Sequence, residues 1–187
     1  MSLAAFAKQG RKRELVSALE SGTNVNQTDT NKRTALYYAC WRNHMDIVTT
    51  LLNHKYINVN LKDSDGFGAF REACFWNRYE IVLILLNDGR TDLNLLDKMG
   101  WTPFMSACCD SSDQIIKLMI AFGRFLDVDV VDQGKLGKPV NAMDIAKGIR
   151  NRGLISDLLM QYDVNLTETR QKLRSELNLK GSHKRKR

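Results

Sequence analysis

No stretch of this chain is both long and uniformly apolar. The longest strongly apolar run, Ile81 to Leu86, falls far short of the roughly 18 to 20 residues a membrane span needs, and "LAAFA" from Leu3 is too short for a secretory core. The chain is therefore expected in the cytoplasm or nucleus, without a membrane span. Histidine is scarce, with three scattered residues, and none of the four cysteines forms a C-x-x-C pair, so a structural zinc set is not assembled. The chain has no G-x-S-x-G elbow, no P-loop and no G-x-G-x-x-G turn. No catalytic residue, metal or cofactor is expected. The body also lacks a charge surplus. The formal charge is +7, but the segment from Asp163 to Arg187 holds eight Lys/Arg against three Asp/Glu, which leaves the body only +2. That near-neutral balance argues against a broad basic groove for nucleic acid.

What the chain does have is a period. Ile47-Val48 precedes Leu51-Leu52, Ile81-Val82 precedes Leu85-Leu86, Ile115-Ile116 precedes Met119-Ile120, and Leu154-Ile155 precedes Leu158-Leu159, in steps of 34, 34 and 39 residues. A small-residue landmark keeps the same steps: Ala39-Cys40, Ala73-Cys74, Ala107-Cys108 and Ala146-Lys147. A degenerate copy, Phe6-Ala7 with Leu15 and Ala18-Leu19, lies 33 residues before the first full one. Self-similarity on this scale predicts a solenoid of stacked units rather than one closed globule.

Each unit reads as two short antiparallel helices. Ile81, Val82, Leu85 and Leu86 make one broad apolar stripe, and the preceding helix, with Phe70, Ala73 and Cys74, carries small side chains that let the axes approach. Gly10, Asn43 and Asn77 suit the left-handed end of the first helix, whereas Ser111 and Arg150 adopt it less readily, so looser turns are expected there. Thr34, Thr102 and Asn141 can cap helix starts, Pro103 suits a first helical position, and Gly68 is a weaker cap. The pairs Val25-Asn26, Val59-Asn60, Leu93-Asn94, Val128-Asp129 and Val164-Asn165 follow the second helices, with Asn26, Asn60 and Asn94 expected to bond across their own exit turns. Turn formers such as "KDSDGFG" from Lys62 then close a polar hairpin finger, which is also the ordinary role for Asp63 and Asp65.

"DKMGWTPFMSAC" from Asp97 resembles the ankyrin pattern of Asp, Gly, Thr-Pro-Leu-His and Ala-Ala, and "DIVTTLLNHKYINVN" from Asp46 resembles its second helix and exit turn. The likeness runs from Leu3 to about Asn165. Tyr37, Arg71, Met105 and Asp144 replace the helix-opening His of that pattern, and the five-residue excess of the last step is expected in the finger "VVDQGKLGKP" from Val130. The resemblance implies an all-α ankyrin-repeat solenoid of about five helix-turn-helix units, at 3–27, 28–61, 62–95, 96–129 and 130–165. Asn165, Leu166, Glu168, Leu173 and Leu177 predict a capping helix at 166–179 over the last unit's open face, followed by a disordered basic tail at 180–187.

Cys40, Cys74 and Cys108 occupy one structural position in successive units and read as small core fillers. Helices about 8 to 10 Å apart hold them beyond disulfide reach. His44 follows Cys40 by four residues, but a helix ending at Asn43 turns that imidazole into the bend and away from the thiol.

In proteins similar to this one, partner contacts usually come from the finger tips and from the two positions after the small pair. Those positions hold Trp41-Arg42, Phe75-Trp76 and Cys109-Asp110, and the fingers offer Arg33, Phe67, Met99 and Trp101. The apolar stripe contains no tryptophan, so all three indoles are expected on one face, where large apolar groups mark recognition sites and Trp and Arg are enriched among hot spots. The alternative is that they pack only against neighbouring fingers. The expected function is a non-enzymatic protein-interaction module that acts as a monomer. The tail residues Lys184, Arg185, Lys186 and Arg187 suit a nuclear import signal or, as the competing function, a contact to nucleic acid or an anionic surface, which salt would weaken steeply.

Overall fold

A computed structural model describes residues 1–110, 113–122, 126–127, 130–132, 140–142, 144–145, 157 and 166–179. Four helix pairs succeed one another: α1 (Leu3–Lys8) with α2 (Lys12–Glu20), α3 (Ala35–Arg42) with α4 (Met45–Leu52), α5 (Ala69–Phe75) with α6 (Tyr79–Asn87), and α7 (Pro103–Asp110) with α8 (Asp113–Phe122). First helices pack on first helices, α1 on α3, α3 on α5 and α5 on α7, while α2, α4, α6 and α8 form a second layer behind them. Among the described residues there is no strand; Thr28 bridges Thr34 and Lys62 bridges Gly68 across the bases of two fingers.

Periodic residues build the interior as their spacing predicts. Ile47, Val48, Leu51, Ile81, Val82, Ile115, Ile116 and Met119 are fully buried in one continuous core, joined by the small pairs Ala39-Cys40, Ala73-Cys74 and Ala107-Cys108. Helix ends follow local chemistry. Thr34 Oγ1 accepts the Tyr37 amide at 3.1 Å, Thr102 Oγ1 accepts the Met105 amide at 3.1 Å, and Asn141 and Asp144 cap each other's amides at 2.9 and 3.2 Å. Gly68 stands at its N-cap without such a bond. Asn43 and Asn77 take φ of 63° and 55°, which ends α3 and α5 and starts the turn to the next helix. The positions Ser111 and Arg150, most of the fifth unit and the tail from 180 lie outside the described residues.

Each finger is organised by one aspartate. Asp29, Asp63 and Asp97 accept through Oδ1 the amides two and four residues on, and the four-residue hairpin closes at Asp29–Arg33, Asp63–Phe67 and Asp97–Trp101. In the fourth finger Asp132 makes the equivalent bonds to Val140, eight residues away instead of four. Four of the five extra residues therefore sit inside that finger, and one precedes it, since Asp132 follows Asp97 by 35 residues rather than 34. Fingers touch closely: the Lys98 amide donates to the Asp65 carbonyl at 3.1 Å, and a Cβ on Gly66 would stand 2.7 Å from that amide nitrogen.

The exit-turn asparagines depart from expectation. They bond forward into the following unit rather than across their own turns. Asn26 donates to the Tyr56 carbonyl at 2.8 Å and accepts the Asn58 amide at 2.8 Å; Asn60 donates to the Arg90 carbonyl at 2.8 Å and accepts the Asp92 amide at 2.9 Å; Asn94 accepts the Asp127 amide at 3.0 Å. An amide side chain supplies both a donor and an acceptor, so one residue clamps both edges of the next turn. Replacing Asn60 with alanine is expected to cost about 1 kcal/mol and to broaden the urea transition, because coupling between neighbours gives a repeat array its cooperativity. Equilibrium unfolding followed by circular dichroism checks this.

Helix α9 (Leu166–Glu176) packs on α8, burying Leu173 and directing Arg174 Nη1 to the Ala121 carbonyl at 3.4 Å. Among the described residues its partner is the fourth pair; the expected cover over the fifth unit falls outside the described residues.

Candidate functional site

The residues after the small pairs line up along the first-helix layer at the repeat spacing: Lys8, Trp41, Phe75 and Cys109 in one row, and Gln9, Arg42 and Trp76 in the next. Trp41 and Trp76, from adjacent units, lie 6.3 Å apart between ring centroids. Tyr38 extends this cluster on one side, 5.8 Å from Trp41, and Phe75 on the other, 5.4 Å from Trp76 in an edge arrangement. Guanidinium and ammonium groups lie over the rings: Arg42 4.4 Å from Trp41, Lys8 5.3 Å from Tyr38, and Arg71 3.8 Å from Phe67 and 4.7 Å from Phe75. Trp76 remains 43% exposed, the most accessible of the cluster's rings, while Trp41 is half-buried.

Carboxylates fix this arrangement from beneath. Glu72, 4% exposed, accepts the Trp76 indole N–H at 3.1 Å on one oxygen and the Arg71 guanidinium at 2.8 Å on the other. The spacing of Glu72 and Trp76, one helical turn, allows this. Arg78 donates to the Trp41 carbonyl at 3.2 Å, tying the end of α3 to the next unit. Asp29 accepts the Tyr38 hydroxyl at 2.7 Å; burial works against its charge, yet that bond, the Arg33 and Asn31 amides and the Arg33 charge hold its carboxyl below the usual range. Burial pushes the Tyr37 hydroxyl up, with the Glu72 charge adding to it. Burial likewise raises the Cys40 thiol well above its ordinary value, reinforced by Glu72 and Cys74. Cys40 is a neutral core thiol, and His44 lies beyond the Asn43 break at the start of α4.

Of the residues singled out from sequence, Trp41, Arg42, Phe75 and Trp76 form one cluster, and Phe67 joins it through Arg71. Arg33 is half-buried in its finger, paired with Asp63 at 3.3 Å and lying over Tyr37. Met99 stands half-buried in the third finger. Trp101 does not share the cluster: its indole N–H donates to Asp132 in the fourth finger at 3.1 Å, and no ring contact among the described residues joins it to the other two tryptophans. Of the three indoles expected on one face, Trp41 and Trp76 touch, and Trp101 packs against its neighbouring finger. The side chain of Asp110 and residues Lys184, Arg185, Lys186 and Arg187 lie outside the described residues. Lys8, Tyr38, Arg71 and Glu72 belong to the cluster and were not singled out from sequence. Lys8 was findable, since it precedes Trp41 by the 33-residue step of the degenerate first copy.

Stacked helix pairs and aspartate-organised fingers define a helical repeat solenoid. Residues 2–97 match the family model for ankyrin repeats in three copies, slightly more than half of the chain, and the chain belongs to the ankyrin-repeat family. Ankyrin repeats are generally protein–protein interaction modules and typically non-enzymatic. The matched residues contain the whole aromatic cluster. No curated protein matches the chain. No helix among the described residues is long and apolar enough to cross a membrane.

Proposed function

We infer that this chain is a non-enzymatic interaction module, an adaptor, inhibitor or effector of the cytoplasm or nucleus, which holds a protein partner on its first-helix face and finger tips as a monomer. The observation that carries this reading is the accessible Trp76 indole, fixed by a buried carboxylate and flanked by Trp41, Phe75 and Arg42. A tethered indole loses less freedom when a partner covers it, which is how pre-organisation raises affinity. Tryptophan and arginine are also the side chains that most often dominate binding energy.

A photo-crosslinking amino acid placed at Trp76, and separately at Thr49 on the exposed surface of α4, tests the face in cell extract. Position 76 is expected to give a discrete protein adduct and position 49 none. Equal labelling at both positions, or none at 76, would count against the reading.

A further inference from the structure

The chemistry of the partner follows from which charges of the face are already used. Three carboxylates beside the aromatic cluster are committed inward: Asp29 to the Tyr38 hydroxyl and finger amides, Asp63 to Arg33 and finger amides, and Glu72 to Arg71 and the Trp76 indole. Asp63 and Glu72 are buried. Two cations of the same face are exposed and form no ion pair among the described residues: Lys8 over Tyr38 and Arg42 over Trp41. They stand on successive units, in adjacent rows, with the Trp41–Trp76 rings as an apolar floor beside them. A near-neutral body therefore presents, beside the Trp41–Trp76 pair, positive charge over aromatic rings.

On the reading that this face binds protein, we propose that its occupant is an acidic segment of the partner that carries an aromatic or leucine side chain. The apolar side chain covers Trp76 and Trp41, and flanking carboxylates reach Lys8 and Arg42. Arg42 suits a carboxylate because its planar guanidinium can offer two parallel N–H donors. Charge across such a rim steers association and rejects basic competitors more than it adds raw affinity.

Random dodecapeptides displayed on phage, selected on the full chain and counter-screened on Trp76→Ala, test this. Peptides that need Trp76 are expected to be rich in Asp and Glu with one bulky apolar residue. As synthetic peptides they should bind about tenfold more weakly to the Lys8→Glu, Arg42→Glu double variant, with affinity falling as salt rises. Trp76-dependent peptides that are neutral or basic would overturn the acidic partner while leaving the interaction face in place. Selection yielding no Trp76-dependent peptide would overturn both. Indole quenching by a single-stranded oligonucleotide, stronger than by any selected peptide and lost in the charge-reversal variant, would assign the cations to nucleic acid instead. Concentration-dependent dimerisation abolished by Arg42→Glu would assign the face to a second copy of the chain.

Discussion

Replacing Glu72 with alanine is expected to destabilise the stack by about 3 kcal/mol, more than any other single polar change in the first-helix layer. The carboxylate is buried, and so is most of its partner: the Arg71 side chain is 16% exposed and that of Glu72 6%. Removing one member of such a pair strands the other's charge in a poorly solvated place. Arg71 is ill placed to recover, because its buried Nε already has no hydrogen-bond partner and its guanidinium is held against Phe67 and Phe75. The same substitution frees the Trp76 indole N–H. Two readouts should therefore move together: the urea midpoint falls, and the fluorescence anisotropy of Trp76, measured with Trp41 and Trp101 replaced by phenylalanine, drops. Glu72→Gln keeps an acceptor for the indole while losing the charge, so it should retain the anisotropy and lose stability. If the stability loss came only from a packing defect, the glutamine variant, which fills the same space, would be as stable as the wild type.

Glu72 also shows where sequence reasoning stops. Tyr38, Glu72 and Ser106 occupy the same helical position 34 residues apart, yet their roles differ. Tyr38 bonds to a finger aspartate, Glu72 braces an indole, and the buried Ser106 hydroxyl has no hydrogen-bond partner. Nothing in a period distinguishes them, because each role depends on what the adjacent unit offers. The core was legible for the opposite reason: Ile47, Ile81 and Ile115 face the same environment in every unit, so spacing alone places them. Caps and turns were legible too, since Thr34, Thr102, Asn43 and Asn77 act on their own backbone within a few residues. Contacts between units were misread or missed. Asn26 and Asn60 clamp the following turn, and Trp101 donates to Asp132 of the next finger as Arg33 does to Asp63. Each depends on the offset between stacked units, which the sequence of a single unit does not encode. The pairing of Trp41 with Trp76 lay between these cases. Their common face followed from the period, but their contact depends on how closely α3 and α5 approach, which the small residues Ala39 and Ala73 permit.

Binding of a protein partner at the Trp41–Trp76 surface is tested by the affinity of a recovered partner for wild type, Trp41→Ala, Trp76→Ala and the double variant. Truncating either ring removes area that an incoming side chain would cover, and each loss should cost about 2 kcal/mol, a roughly thirtyfold weakening. Because the rings touch, the double variant should lose less than the sum. Trp76 is 43% exposed, so its truncation should leave the urea midpoint close to wild type, whereas Trp41 packs partly against the core and its truncation should lower the midpoint while circular dichroism keeps the helical signal. Calorimetric titration showing that steep loss, with the fold intact, is the predicted result. Unchanged affinity in a folded double variant would show that the partner binds elsewhere.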